Sequence, residues 1–264
     1  MKKRFGFTLI EVAIFLAVTG ALFAAITVGV QNSIYQQRYN DTVQSFADFL
    51  RNLYSEVSDV QNASESMGRS GKAIYGKMAV FGEGGDGDKQ VVTVYTVVGD
   101  AVSSAKIGDG DTLGLLSGLN ANVFVKGEND KMKLAGIVEN YTPKWSARVQ
   151  STESQTEDFK GTLLVVRNPK TGIIQTFAMN EVIVVNVDGP FGEDATVFKE
   201  GVENGRNYLK NGFKSGNVDF CVNPNGNEAS NNRTDVRVLE GARSAADVVI
   251  VPFDSADNRC NGNG

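Results

Sequence analysis

Residues 1–30 read MKKRFGFTLIEVAIFLAVTGALFAAITVGV. From Phe7 to Val30 there are 24 residues and a single charge, Glu11, and no other stretch of the 264-residue chain is comparably apolar. About 20 apolar residues cross a hydrocarbon core as one helix, so the run has the length of a membrane span. Lys2, Lys3 and Arg4 precede it and would stay in the cytoplasm, with the remainder of the chain outside. A secretory signal peptide also starts with a basic tip. Its apolar region is shorter, about 7–15 residues, and ends at a small-x-small cleavage site that is not evident here. Glu11 suits neither a plain anchor nor a signal peptide. A carboxylate at the centre of a membrane helix costs roughly 3 kcal/mol or must find a partner, so such residues are functional suspects.

The rest of the composition narrows the function classes. Net charge is −5, from 26 basic and 31 acidic residues, and becomes −8 without the three basic residues of the tip. An acidic body is a poor electrostatic match for nucleic acid or anionic lipid unless its cations cluster. The chain has no histidine, which removes the commonest general base and metal ligand and the Ser-His and Cys-His nucleophile pairs. P-loop, dinucleotide, GxSxG and Cys-metal patterns are lacking too, so the chain reads as a non-enzyme. Twenty-nine glycines against five prolines suggest many turns between short strands. Two cysteines, Cys221 and Cys260, read as one disulfide in an exported protein, or as two buried thiols.

Beyond Val30 the helical pattern continues. Tyr35, Tyr39, Val43, Phe46, Leu50, Leu53, Val57 and Val60 recur at steps of three and four, an apolar stripe on one face. The spacing predicts a helix over 7–62, about 84 Å long. Its first half, 7–30, is apolar all round. Its second half, 31–62, is amphipathic and is expected to lie on a sheet or in a coiled-coil seam. A loop over 64–72 ends it, and a β-rich head over 63–264 follows. Candidate strands are 73–81, 91–98, 122–125, 134–138, 145–149, 162–167, 173–178, 181–187, 218–222, 236–239 and 248–251, with a short helix within 198–212. NPKTG between Arg167 and Ile173 is hairpin-turn chemistry. The fold class is therefore α+β: a long N-terminal helix, transmembrane then amphipathic, packed on a mainly antiparallel β domain.

Gly6 followed by Phe7, Thr8, Leu9, Ile10 and Glu11, behind the basic tip, resembles the class III signal of type IV pilins and pseudopilins. The resemblance implies a leader, 1–6, removed after Gly6 by a membrane-embedded prepilin peptidase, and N-methylation of Phe7. It implies that Glu11 neutralises the N-terminal ammonium of a neighbouring subunit during assembly. The alternative is a local pairing of Glu11 with its own N-terminus, helped by the helix dipole. Implied partners are other pilin or pseudopilin subunits, an assembly platform protein with its ATPase, and the cytoplasmic membrane before export to a pilus or pseudopilus. Gly20 matches a helix-weakening glycine of major pilins, but Val28 stands where their proline falls, which points to a minor pilin or pseudopilin.

The C-terminal part, NVDFCVNPNG then RTDVRVLEGARSAADVVIV and NRCNGNG, is loosely similar to the tail of GspH/FimT-type minor pseudopilins. Some FimT-type proteins bind DNA there, which makes Arg233, Arg237, Arg243 and Arg259 candidate DNA contacts. From residue 213 on, five basic residues face seven acidic ones, and solvated strand-edge arginines are the plainer reading. The acidic glycine-rich strings 83–88 and 108–111 offer oxygens for Ca²⁺, which some pseudopilins bind. Neither has EF-hand spacing, and ordinary Gly/Asp turns account for them.

Overall fold

A computed structural model of the chain describes residues 8–59, 72–82, 90–100, 111–119, 122–124, 138–154, 157–180, 182, 213–223 and 233–261. The chain divides into two compact units, Met1–Asp41 and Thr42–Gly264. Helix α1, Leu9–Asp59, contributes to both.

Over residues 9–30 α1 is apolar and exposed, with Leu9, Ile14, Phe15, Leu16, Phe23 and Ile26 each more than half exposed. It is long and apolar enough to cross a membrane, and the apolar window is unburied. Two of its threonine hydroxyls bond back within the helix. Thr19 Oγ1 donates to the Phe15 carbonyl at 2.7 Å and Thr27 Oγ1 to the Phe23 carbonyl at 2.8 Å. Such back-bonding is what an apolar solvent demands of a polar side chain.

The second unit is two antiparallel sheets. The larger holds β1 (Lys72–Phe81), β2 (Val92–Asp100), β3 (Asn122–Phe124), β4 (Val138–Tyr141), β6 (Gly161–Arg167) and β7 (Ile174–Met179). Its order is β3-β2-β1-β6-β7, with β4 pairing β2 beside β3. The smaller holds β5 (Arg148–Gln150), β8 (Val218–Asn223), β9 (Thr234–Val238) and β10 (Val248–Val251), in the order β10-β9-β8-β5. A bulge at Tyr75 shifts the β1–β2 register. Beside it, Gly76 lets β1 approach β6 closely: a Cβ there would lie 2.2 Å from the Val165 carbonyl oxygen.

Alternation along β1 separates two cores. Lys77, Ala79 and Phe81 face α1, and Met78 and Val80 face the opposite side, where helix α2 (Thr112–Gly118) lies. On the α1 side Val43, Phe46, Leu50, Leu53 and Val57 of the stripe are buried, joined by Ala47 and Tyr54. Phe46 reaches both sheets, with ring centroids 6.4 Å from Phe81 on β1 and 5.5 Å from Phe220 on β8. Phe159 closes the cluster at 5.3 Å from Phe81 and 4.9 Å from Phe220. The opposite core joins Leu113, Leu116 and Leu119 to Met78, Val97 and Leu164.

Strand expectations meet the structure unevenly. The segments 73–81, 91–98, 162–167, 173–178, 218–222 and 248–251 fall on β1, β2, β6, β7, β8 and β10. The segment 122–125 falls on β3 over its first three residues. The segment 236–239 belongs to β9, which starts two residues earlier and leaves out Leu239. The expected strand 145–149 is corrected. Lys144–Ser146 is a 3-10 turn with Trp145 at φ 59° and Ser146 at φ 58°, and β5 starts only at Arg148. In an unbroken strand Trp145 would share the buried side of Ala147 and Val149. The left-handed kink takes it off that side, and it is 52% exposed. Helix α2 was not anticipated. It carries two glycines, but Asp111 caps it, its Oδ1 accepting the Gly114 N–H at 2.9 Å. Residues 60–71, 134–137, 183–187 and 198–212 lie outside the described residues.

Candidate functional site

Two regions carry the residues singled out from the sequence. The first is the start of α1. Gly6 and Phe7 lie outside the described residues. Thr8 and Glu11 form a reciprocal cap: the Thr8 N–H donates to Glu11 Oε2 at 2.8 Å, Thr8 Oγ1 donates to the same oxygen at 2.9 Å, and the Glu11 N–H faces Thr8 Oγ1 at 3.4 Å. This is the Thr-x-x-Glu capping box, which satisfies backbone donors that a helix start leaves orphaned. Sequence reasoning weighed a local partner for Glu11 but named the N-terminus. The signal for Thr8 was present in the spacing T-x-x-E before an apolar run. Glu11 is thus held at the start of α1, the one charge of its exposed apolar stretch over residues 9–30.

The second region is the outer face of the smaller sheet. Cys221 and Cys260 are joined, with Cα atoms 5.4 Å apart and a sequence separation of 39. Closing a loop of this size contributes about 4 kcal/mol by restricting the unfolded chain. Around this bond the four candidate arginines have different fates. Arg233 is 1% exposed, so it is neither solvated nor at an open surface. It donates to the Cys260 carbonyl and faces the Ser151 and Ser154 carbonyls at 3.4 Å. Burial lowers its proton affinity. Arg237 is half-buried between two carboxylates, hydrogen-bonded to Asp219 through Nε and to Asp235 Oδ2 through Nη2 at 2.5 Å. Burial works against the Arg237 cation, but the bonds and charges of Asp219 and Asp235 outweigh it and raise its proton affinity. Arg259 is exposed and pairs with Asp219 Oδ2 at 3.1 Å. Arg243 is exposed; its backbone N–H caps onto Asp247 Oδ2 at 2.8 Å.

Three of the four guanidiniums are therefore engaged with carbonyls and carboxylates of their own chain. Asp219 and Asp235 hold this network together and were not singled out from the sequence. Their signal was the alternation of VDF and TDV in the two neighbouring strands, which sets both carboxylates beside Arg237.

A further ion cluster lies on the α1 side of the larger sheet. Lys77 Nζ is 2.8 Å from Glu56 on α1 and 3.7 Å from Glu139 on β4. Its side chain is nearly buried, so the pair pins helix to sheet. Of the acidic glycine-rich strings, 83–88 and 108–110 lie outside the described residues, and Asp111 is a helix cap. Among the described residues no group of three or more His, Cys, Asp or Glu is placed to hold a metal ion. Compared with family models, curated proteins and solved structures, the chain matches none.

Proposed function

We propose that the chain is a structural subunit, a minor pilin or pseudopilin, of a type IV pilus or a related secretion or DNA-uptake filament. The observation that carries the reading is the stretch of α1 over residues 9–30: apolar and exposed, with Glu11 as its one charge. In the proposed sequence of events a membrane peptidase cuts after Gly6 and Phe7 is methylated. The helix waits in the cytoplasmic membrane with its N-terminus inside. A platform protein and its ATPase then move it into a filament of like subunits, with the β unit outside. Lipid and neighbouring helices are equally apolar, so burial alone selects no register. An ion pair between Glu11 and a neighbour's terminal ammonium does, because an unmatched carboxylate in low dielectric is costly. The test is Glu11→Leu beside Gly6→Leu. The first is expected to insert and be processed but not to enter filaments, and the second to remain uncut. Normal incorporation of Glu11→Leu would sink the mechanism.

A second reading, a surface protein merely anchored by α1, is favoured by the Thr8–Glu11 capping box, which gives Glu11 a task without any neighbour. It expects Glu11→Gln to behave as the wild type, since the amide oxygen still accepts from Thr8.

A further inference from the structure

We propose that the C-terminal strap, residues 252–261, is a pH-responsive cover that closes over Asp235 and is held shut by the Cys221–Cys260 bond. The geometry starts from the β8–β9 register. Cys221 pairs with Asp235 and Asp219 with Arg237, so all four side chains point to one face of the smaller sheet, with Arg233 two residues from Asp235 on the same strand face. The strap crosses that face through a series of ties. Arg237 Nη2 donates to the Asp257 carbonyl at 2.9 Å, Arg259 pairs with Asp219, and Arg233 donates to the Cys260 carbonyl. Asn258 Nδ2 donates to the Arg233 carbonyl at 2.9 Å and its Oδ1 accepts the Cys260 N–H at 2.7 Å.

Asp235 beneath this strap is wholly buried. One oxygen holds Arg237, while the other, Oδ1, is buried without a hydrogen-bond partner. The charged groups around it are Asp219 from β8, Arg233 and Arg237 from its own strand and Arg259 from the strap. A carboxylate kept in such a place is a burden when ionised and much less of one when protonated. Burial, then the charge of Asp219, pushes its pKa up to about 6 against the pull of Arg237 and of the Arg259 backbone N–H, which the strap itself brings to the carboxylate. With the strap lifted, Asp235 meets water, the penalty of burial falls away, and its pKa moves back toward the ordinary carboxylate range.

The closed strap therefore binds a proton more tightly than the open one. Its extra stability is fully present below 3.8 and is lost as pH rises through about 6. Between pH 5 and pH 8 the opening constant is expected to rise about tenfold. The disulfide sets the baseline from which that rise starts, because it ties the end of the strap to β8.

The test is amide hydrogen exchange of Asn258 and Cys260 in the full chain, held in detergent, with Leu163–Val165 on β6 as the control for global unfolding. After correction for intrinsic exchange, strap opening should rise about tenfold from pH 5 to pH 8 in the wild type, and less than twofold in Asp235→Asn. Cys260→Ser should show the same slope from a higher baseline. An equal slope in Asp235→Asn, or protection that increases with pH, would overturn the role of Asp235. Unchanged strap protection in Cys260→Ser would remove the disulfide from the device.

Discussion

Glu11 is where two accounts of one residue separate. Its carboxylate caps its own helix through Thr8 and, in the proposed filament, balances a neighbour's terminal charge. Glu11→Gln keeps the acceptor and removes the charge. The filament account expects it to assemble as poorly as Glu11→Leu, at least tenfold below wild type by quantitative blot of sheared fractions. An anchoring account expects no loss. Tyr54 supplies a second prediction at this scale. Its hydroxyl lies 2.8 Å from Thr176 Oγ1, which donates to the Ala242 carbonyl at 3.0 Å, so one buried chain links α1, β7 and the turn after β9. Burial pushes the Tyr54 phenol up to about 12. The raised value means that its contribution is fully present below 10 and is lost as pH rises through about 12. In an ultraviolet pH titration Tyr54 should therefore ionise only as the fold opens, alongside Tyr75 and Tyr141, which burial also raises. Tyr54→Phe should reduce the amplitude of that late phase and cost about 1 kcal/mol.

At the scale of elements the decisive unit is the buried half of α1. Phe46 is the α1 side chain whose ring meets both Phe81 and Phe220, and it is fully buried. Phe46→Ala should cost about 3–5 kcal/mol in denaturant unfolding, whereas Gln44→Ala on the exposed face should cost little. The stripe of α1 was legible because a 3.6-residue period survives whatever it packs on. Val43, Phe46, Leu50, Leu53 and Val57 are buried as the spacing demands. Ala47 and Tyr54 escaped it because a wide core contact buries neighbours of the stripe as well. Strands with long β-branched runs, such as β2 and β6, were equally plain. Trp145 was not, since nothing in local propensity marks a left-handed kink in KWS. Helix α2 was hidden by its two glycines, although Asp111 as a cap and the Leu113-Leu116-Leu119 spacing were there to be read.

For the whole molecule, the sequence separated an apolar helix from a β-rich body, and the two units of the structure divide at Asp41 and Thr42. A chain beginning at Tyr35 should be soluble without detergent and keep the circular dichroism of the folded body, while the full chain should partition into membranes. Aggregation of the shortened chain would mean that the first unit stabilises the body rather than merely carrying it. The arginine network was illegible in kind. Composition showed five cations in the tail, but whether they face solvent or their own carboxylates depends on strand register and on the strap, which no local pattern encodes. The central claim is that the mature chain starts at Phe7 and enters a filament by its apolar helix. N-terminal mass spectrometry of material sheared from the cell surface tests it most directly. The account predicts N-methyl-Phe7 as the first residue in that fraction. An intact Met1, or a start beyond the apolar run near residue 31, would contradict it.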